Sequence, residues 1–313
     1  MPVIVLGVEG ETTVVEEVEA DGPVRGARSQ SPRVRSLGAT LVVKAWWAGL
    51  SLVVPVVGLV VGQAVLLPRH FRVEPKLEVV DLTVAPPAVE SSDASVIELA
   101  AFGDSAMAGV GVHHLEDVLA VQLAQRVADE TGRPVHVVGY ARSGARTVDV
   151  LHEQLPRLQV TPDVSVLVVG TNDVTAVTPV PSLVRSTRSL LDGLEALGAP
   201  VVMSGLPRFR AMRLLPHPLM EAVRLYGAVV AAVQRRAVAA RPRVRLVDVG
   251  AVVGPHFFND DATLSADAFH PSAAGYARIA EALLSPVLSA LDAVPQRDVS
   301  PSPSGTGMRD DRP

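Results

Sequence analysis

Cysteine is absent from the 313 residues. That excludes a disulfide framework and any zinc site built on thiolates, and leaves the compartment open. Aromatic residues make up only 4%, so a core must be assembled mainly from Val, Ala and Leu. A sustained basic stripe is also missing. With a net charge of −5 and a pI near 5.9, nucleic acid is not an expected partner. No internal repeat is evident. Finally, charge vanishes from Ala45 to Pro68, in a chain that is 19% charged overall.

That uncharged stretch matches the roughly 20 apolar residues that span a bilayer as helix. Trp46 and Trp47 suit a membrane interface, Lys44, Arg69 and Arg72 flank the run, and Pro55 is tolerable inside a membrane helix. Five basic residues precede it (Arg25, Arg28, Arg33, Arg35, Lys44) and three follow (Arg69, Arg72, Lys76). The positive-inside rule then puts the N-terminus in the cytoplasm and the rest outside, as a single-pass anchor. The run begins late and lacks a small-x-small cleavage site, unlike a signal peptide.

Around it, residues 1–40 pass from an acidic run (Glu9, Glu11, Glu16, Glu17, Glu19, Asp21) to a basic one and are expected to be disordered. Residues 69–95, with Pro75, Pro86 and Pro87, read as a linker, and residues 294–313 as a disordered tail. One domain remains, residues 96–293. Its apolar runs at 96–102, 135–139, 164–169, 200–204 and 244–248 read as strands. Helical patterns fall at 115–130, 147–159, 182–197, 219–240 and 272–291. Such alternation predicts a three-layer α/β/α sandwich on a five-stranded parallel sheet.

In an open parallel sheet the site lies at the carboxyl ends of the strands. Four stretches fall there. Gly103-Asp104-Ser105 offers a hydroxyl nucleophile on a tight turn. Gly144, in the loop after the second strand, can bring a backbone N–H near a ligand. Asn172, in Gly170-Thr171-Asn172-Asp173, carries an amide donor suited to an oxyanion. In Asp267-Ala268-Phe269-His270 a carboxylate lies three residues ahead of an imidazole, close enough to orient it. Together these make an acyl-transfer set: Ser105 attacks, His270 is the general base, and Asp267 holds the ring. Ser105 N–H, Gly144 N–H and Asn172 are the oxyanion donors. Asp104 and Asp173 are supporting residues that brace their turns.

The four blocks, in this order, resemble the SGNH (GDSL-type) hydrolase family of esterases, lipases, thioesterases and acyltransferases. The resemblance covers residues 96 to about 291. It implies a flavodoxin-like sandwich and the same roles for Ser105, Asp267, His270, Gly144 and Asn172. Two departures stand out: Ala106 where the family often has Leu, and Gly139 where many members have Asn. Tyr140 and Arg142, bulky and charged, are expected to shape the pocket mouth.

Competing motifs fail. His152-Glu153 begins a zinc-type His-Glu-x-x-His, but Pro156 occupies the second histidine's place, and Gly109-Val110-Gly111 lacks the third glycine of a dinucleotide loop. The spacing after Asp260-Asp261 is not that of an EF-hand. No metal or cofactor is expected. The expected activity is hydrolysis of a small-molecule or lipid carboxylic ester through an acyl-serine. An O-acyltransferase with the same site, or a non-catalytic surface binding module, are the alternatives.

Overall fold

A computed structural model of the chain describes residues 58–59, 62–63, 80–87, 95–209 and 215–293. The expected termini, 1–40 and 294–313, lie outside the described residues. So does most of the expected membrane span 45–68. Its four described residues, Gly58, Leu59, Gly62 and Gln63, are helical, and Gln63 donates its amide to His217 C=O at 3.0 Å. Among the described residues, no helix is long and apolar enough to cross a membrane.

The sheet is built from β2 (Ile97–Gly103), β3 (Val135–Gly139), β4 (Val164–Val168), β5 (Val201–Ser204) and β6 (Val244–Val247), all parallel. The expectation of five strands falls short by one. β1 (Asp81–Val84), inside the stretch read as linker, pairs antiparallel with β3, so the sheet is six-stranded and mixed, in the order β1-β3-β2-β4-β5-β6. An edge strand needs only one partner, and four residues suffice for it. His136 on β3 fastens this edge across three strands. Its Nδ1 lies 2.7 Å from Glu98 on β2, and its Nε2 2.9 Å from Asp81 on β1. The Asp81 and Glu98 carboxylates raise its pKa. Its support for the edge is therefore full below the ordinary histidine value and lost as pH rises through the raised one.

Two helical layers cover the sheet. On one face lie α1 (Leu119–Thr131) and α7 (Ala273–Asp292), with Leu119, Leu123, Val127, Ile279 and Leu283 buried against β2, β3 and β4. On the other lie α4 (Val180–Glu195) and α5 (Leu219–Val238), with Leu190, Leu191 and Leu194 meeting Phe102, Leu167 and Met203. The central strands β2 and β4 are buried on both faces, which is why they read as continuous apolar runs.

The helix expected over 147–159 is broken. A short α2 (Thr147–Asp149) passes into a π turn (Val150–Gln154) and then a 3₁₀ turn (Leu155–Arg157) containing Pro156, which cannot continue the hydrogen-bond ladder. Two further helices, α3 (Thr171–Thr175) and α6 (Val249–Asn259), line the carboxyl edge of the sheet.

Candidate active site

Ser105 follows β2 on a turn that only a glycine can open. Gly103 has φ +151°, and a Cβ there would lie 2.1 Å from the Val168 carbonyl oxygen. Asp104 N–H then donates to that carbonyl at 3.0 Å, which fixes the turn to β4. His270 arrives from the far end of the chain on a compact loop. Ser265 N–H donates to His270 C=O at 2.8 Å, and Ala268 takes the left-handed conformation (φ +55°) between them. The two loops interlock. A Cβ on Gly111 would lie 2.6 Å from the Pro271 carbonyl and 3.2 Å from the His270 Cβ, so glycine is what lets the loops approach. The buried Tyr276 hydroxyl on α7 donates to Val110 C=O at 2.6 Å and pins the Ser105 loop to the helix that follows His270.

The result is a hydrogen-bonded chain. Ser105 Oγ lies 3.0 Å from His270 Nε2, and His270 Nδ1 lies 2.6 Å from Asp267 Oδ2. Asp267 Oδ1 accepts from the Ser265 hydroxyl and from the N–H groups of Phe269 and His270, each at 2.8 Å. Burial pushes the Asp267 carboxyl up. Those hydrogen bonds, the one to His270 first, outweigh burial and hold it well below the usual carboxylate range. Asp267 is thus anionic at any physiological pH, facing an imidazole that a proton would make cationic.

The remaining expected residues gather at the same edge. Asn172, on α3, donates its amide to Ala145 C=O at 3.1 Å, which leaves its second N–H unspent. Ser105 N–H and Gly144 N–H have no acceptor among the described residues. Asp173, fully buried, accepts from Thr147 N–H at 2.9 Å and from Thr147 Oγ1 at 2.7 Å, tying the Asn172 turn to the Gly144 loop. Asp104 accepts from Ala106 N–H at 3.1 Å. Both aspartates therefore accept hydrogen bonds from nearby turn residues.

Asp104 is buried, and burial pushes its carboxyl up to about 7, against the Ala106 hydrogen bond and the His270 charge. The folded chain therefore keeps a proton that the unfolded chain releases near the ordinary aspartate value of 3.8. Stability from this group is full below that value and falls as pH rises towards 7, by a ceiling of about 4 kcal/mol. Asp104→Asn keeps the acceptor and removes the titration. Its melting temperature is expected to gain on wild type between pH 4.5 and pH 8. Parallel pH courses for the two proteins would contradict this.

A pocket of about 820 Å³, its open mouth included, extends from Ser105 and His270. Leu119, Val249, Val253, Phe257, Leu264 and Phe269 supply a mostly apolar wall. The walls from α6 were not expected from sequence, because Gly250, Gly254 and Pro255 hide the helix. A Cβ on Gly250 would lie 2.4 Å from Leu206 C=O, so these glycines seat α6 against the loop after β5. Arg208 lies at the pocket wall, paired with Asp248 at 3.1 Å. Tyr140 and Arg142 do not line this pocket. Tyr140 is buried and stacked on Phe102 with ring centroids 5.0 Å apart, and Arg142 is held by Glu153 at 2.9 Å. Gly139 has a local reason: a Cβ there would lie 2.9 Å from the Val80 Cβ, where the chain enters β1. Among the described residues, no cluster of His, Cys, Asp or Glu could hold a metal ion.

Residues 101–278 match the GDSL-like lipase/acylhydrolase family, over a span that contains every group of the hydrogen-bonded chain. The chain belongs to this family of ester-cleaving enzymes. A GDSL-like esterase of Mycobacterium tuberculosis is 29% identical over 214 residues, covering 67% of this chain and 68% of that one. A family 3 carbohydrate esterase of Clostridium thermocellum is similar in fold, with a TM-score of 0.50 at 20% identity, over 64% of this chain and 98% of that one.

Proposed function

We propose that this chain is a serine esterase that hydrolyses carboxylic esters through an acyl-Ser105 intermediate. The observation that carries the reading is the continuous line Ser105–His270–Asp267, whose Ser105 and His270 line a mostly apolar pocket. His270 Nε2 takes the hydroxyl proton as Ser105 Oγ bonds to the ester carbon, and Asp267 supports the imidazolium that forms. Ser105 N–H, Gly144 N–H and Asn172 bind the negative oxygen of the tetrahedral intermediate. The C–O bond to the alcohol breaks, and His270 gives the alcohol its proton. Water then repeats the sequence on the acyl-enzyme, releasing the acid and restoring Ser105. Every protonic step is served by side chains within hydrogen-bond reach of each other.

The apolar wall accepts the acyl part of the substrate, since a chain of methylenes loses water on entering and meets no unpaired charge. p-Nitrophenyl esters of increasing acyl length, given to wild type and Ser105→Ala, test this reading. Turnover by wild type that disappears in the folded variant is expected. No turnover of any ester by folded wild type would overturn it.

A further inference from the structure

Gln154 is 1% exposed, yet it sits in a segment that carries none of the four motif blocks. Its Oε1 accepts from Gly103 N–H at 2.9 Å and its Nε2 donates to Gly103 C=O at 2.8 Å. Both polar groups of one residue, two positions before Ser105, are thus held by a single carboxamide. The reason lies in the sheet. The register between β2 and β3 ends at Ala101 and Gly139, where Tyr140 N–H donates to Ala101 C=O at 2.8 Å. Two residues further on, the Gly103 peptide groups face the same way, but β3 has already turned off. The carboxamide, chemically a peptide group, stands where the next residue of that strand would.

The opposite flank is held by Asp104 N–H on Val168 C=O at 3.0 Å, so the turn is gripped from both sides. Gly103 C=O also accepts from Arg142 N–H at 3.2 Å, in the loop that leads to Gly144. Gln154 closes a π turn, in which Leu155 N–H bonds to Val150 C=O five residues back.

We propose that Gln154 is a positioning residue for the nucleophile: its carboxamide replaces a missing strand and sets where Ser105 stands relative to His270 and the Gly144 loop. The inference rests on the esterase reading above. Its failure is distinguishable, because Ser105→Ala is measured alongside. Full-length wild type, Ser105→Ala, Gln154→Leu and Gln154→Glu are assayed for kcat and KM on a p-nitrophenyl ester from pH 5.5 to 8.5, with melting temperatures.

Gln154→Leu strands the Gly103 N–H, leaves the Gly103 carbonyl only its longer bond from Arg142 N–H, and is expected to lower kcat by about 10- to 100-fold, with KM within about twofold of wild type. Gln154→Glu is similarly impaired at pH 8.5, where a carboxylate oxygen faces the Gly103 carbonyl. A protonated glutamic acid has one acceptor and one donor, the pattern of the amide, and burial favours that form. The ratio of its kcat to that of wild type therefore rises about tenfold as pH falls to 5.5. A ratio flat with pH, a loss confined to KM, or a Gln154→Leu kcat within about twofold of wild type would overturn the proposal. Should Gln154→Leu fail to fold, the pH course of Gln154→Glu decides alone. If wild type were no faster than Ser105→Ala, the esterase reading would fall first and this proposal with it.

Discussion

Asp267→Asn is expected to lower kcat by about 10⁴-fold while leaving the fold intact, the size seen when a triad carboxylate becomes an amide. Three donors converge on Asp267 Oδ1: the Ser265 hydroxyl and the N–H groups of Phe269 and His270. An asparagine can satisfy them only with its oxygen at that position, so its NH₂ replaces Oδ2 opposite His270 Nδ1. Nδ1 must then accept, and the ring proton moves to Nε2. Nε2 is the atom 3.0 Å from Ser105 Oγ, and once protonated it cannot take the hydroxyl proton. The loss comes from the wrong tautomer, with the ring still in place. A kcat within tenfold of wild type would show that Asp267 does not set the tautomer.

Asn172→Ala is expected to reduce kcat by about 10²- to 10³-fold, the usual effect of removing one oxyanion donor. One of its amide hydrogens is committed to Ala145 C=O at 3.1 Å, which aims the other. Asp173, on the next residue, is locked to Thr147 and keeps the short α3 in place when the Asn172 side chain is removed. The melting temperature is therefore expected to move little. Steady-state kinetics on one activated ester would check it, and a loss below about fivefold would remove Asn172 from the oxyanion site.

Much of the site was legible because its chemistry lies in short blocks at strand ends. Apolar runs located β2 to β6 to within a residue or two, and parallel order brings their carboxyl ends together. Ser105 and Asn172, each directly after a strand, needed nothing else to be placed on one edge, whereas His270, beyond β6 and α6, was placed there by its Asp-x-x-His block. What stayed hidden depended on non-local partners. β1 is four residues long in a proline-rich stretch, and only its pairing with Val135–Val138 makes it a strand. α6 carries Gly250, Gly254 and Pro255, which locally argue against helix, while its fit against the Leu206–Arg208 loop requires those glycines. Gln154 reads as an ordinary polar helix residue. Its burial follows from a π turn and from where β3 leaves the sheet, and local periodicity records neither. Tyr140 shows the opposite error. An aromatic beside a site block suggested a pocket wall, but an apolar neighbour, Phe102, claimed the ring.

The central claim is that Ser105 is the atom donor to the acyl group, activated by His270. A fluorophosphonate tests it most directly, because Ser Oγ displaces fluoride at phosphorus and remains covalently marked. Intact mass followed by peptide mapping should find one adduct per chain, on Ser105, with no adduct on folded Ser105→Ala and slow labelling of Asp267→Asn. An adduct on another residue, or labelling that persists in Ser105→Ala, would contradict the account.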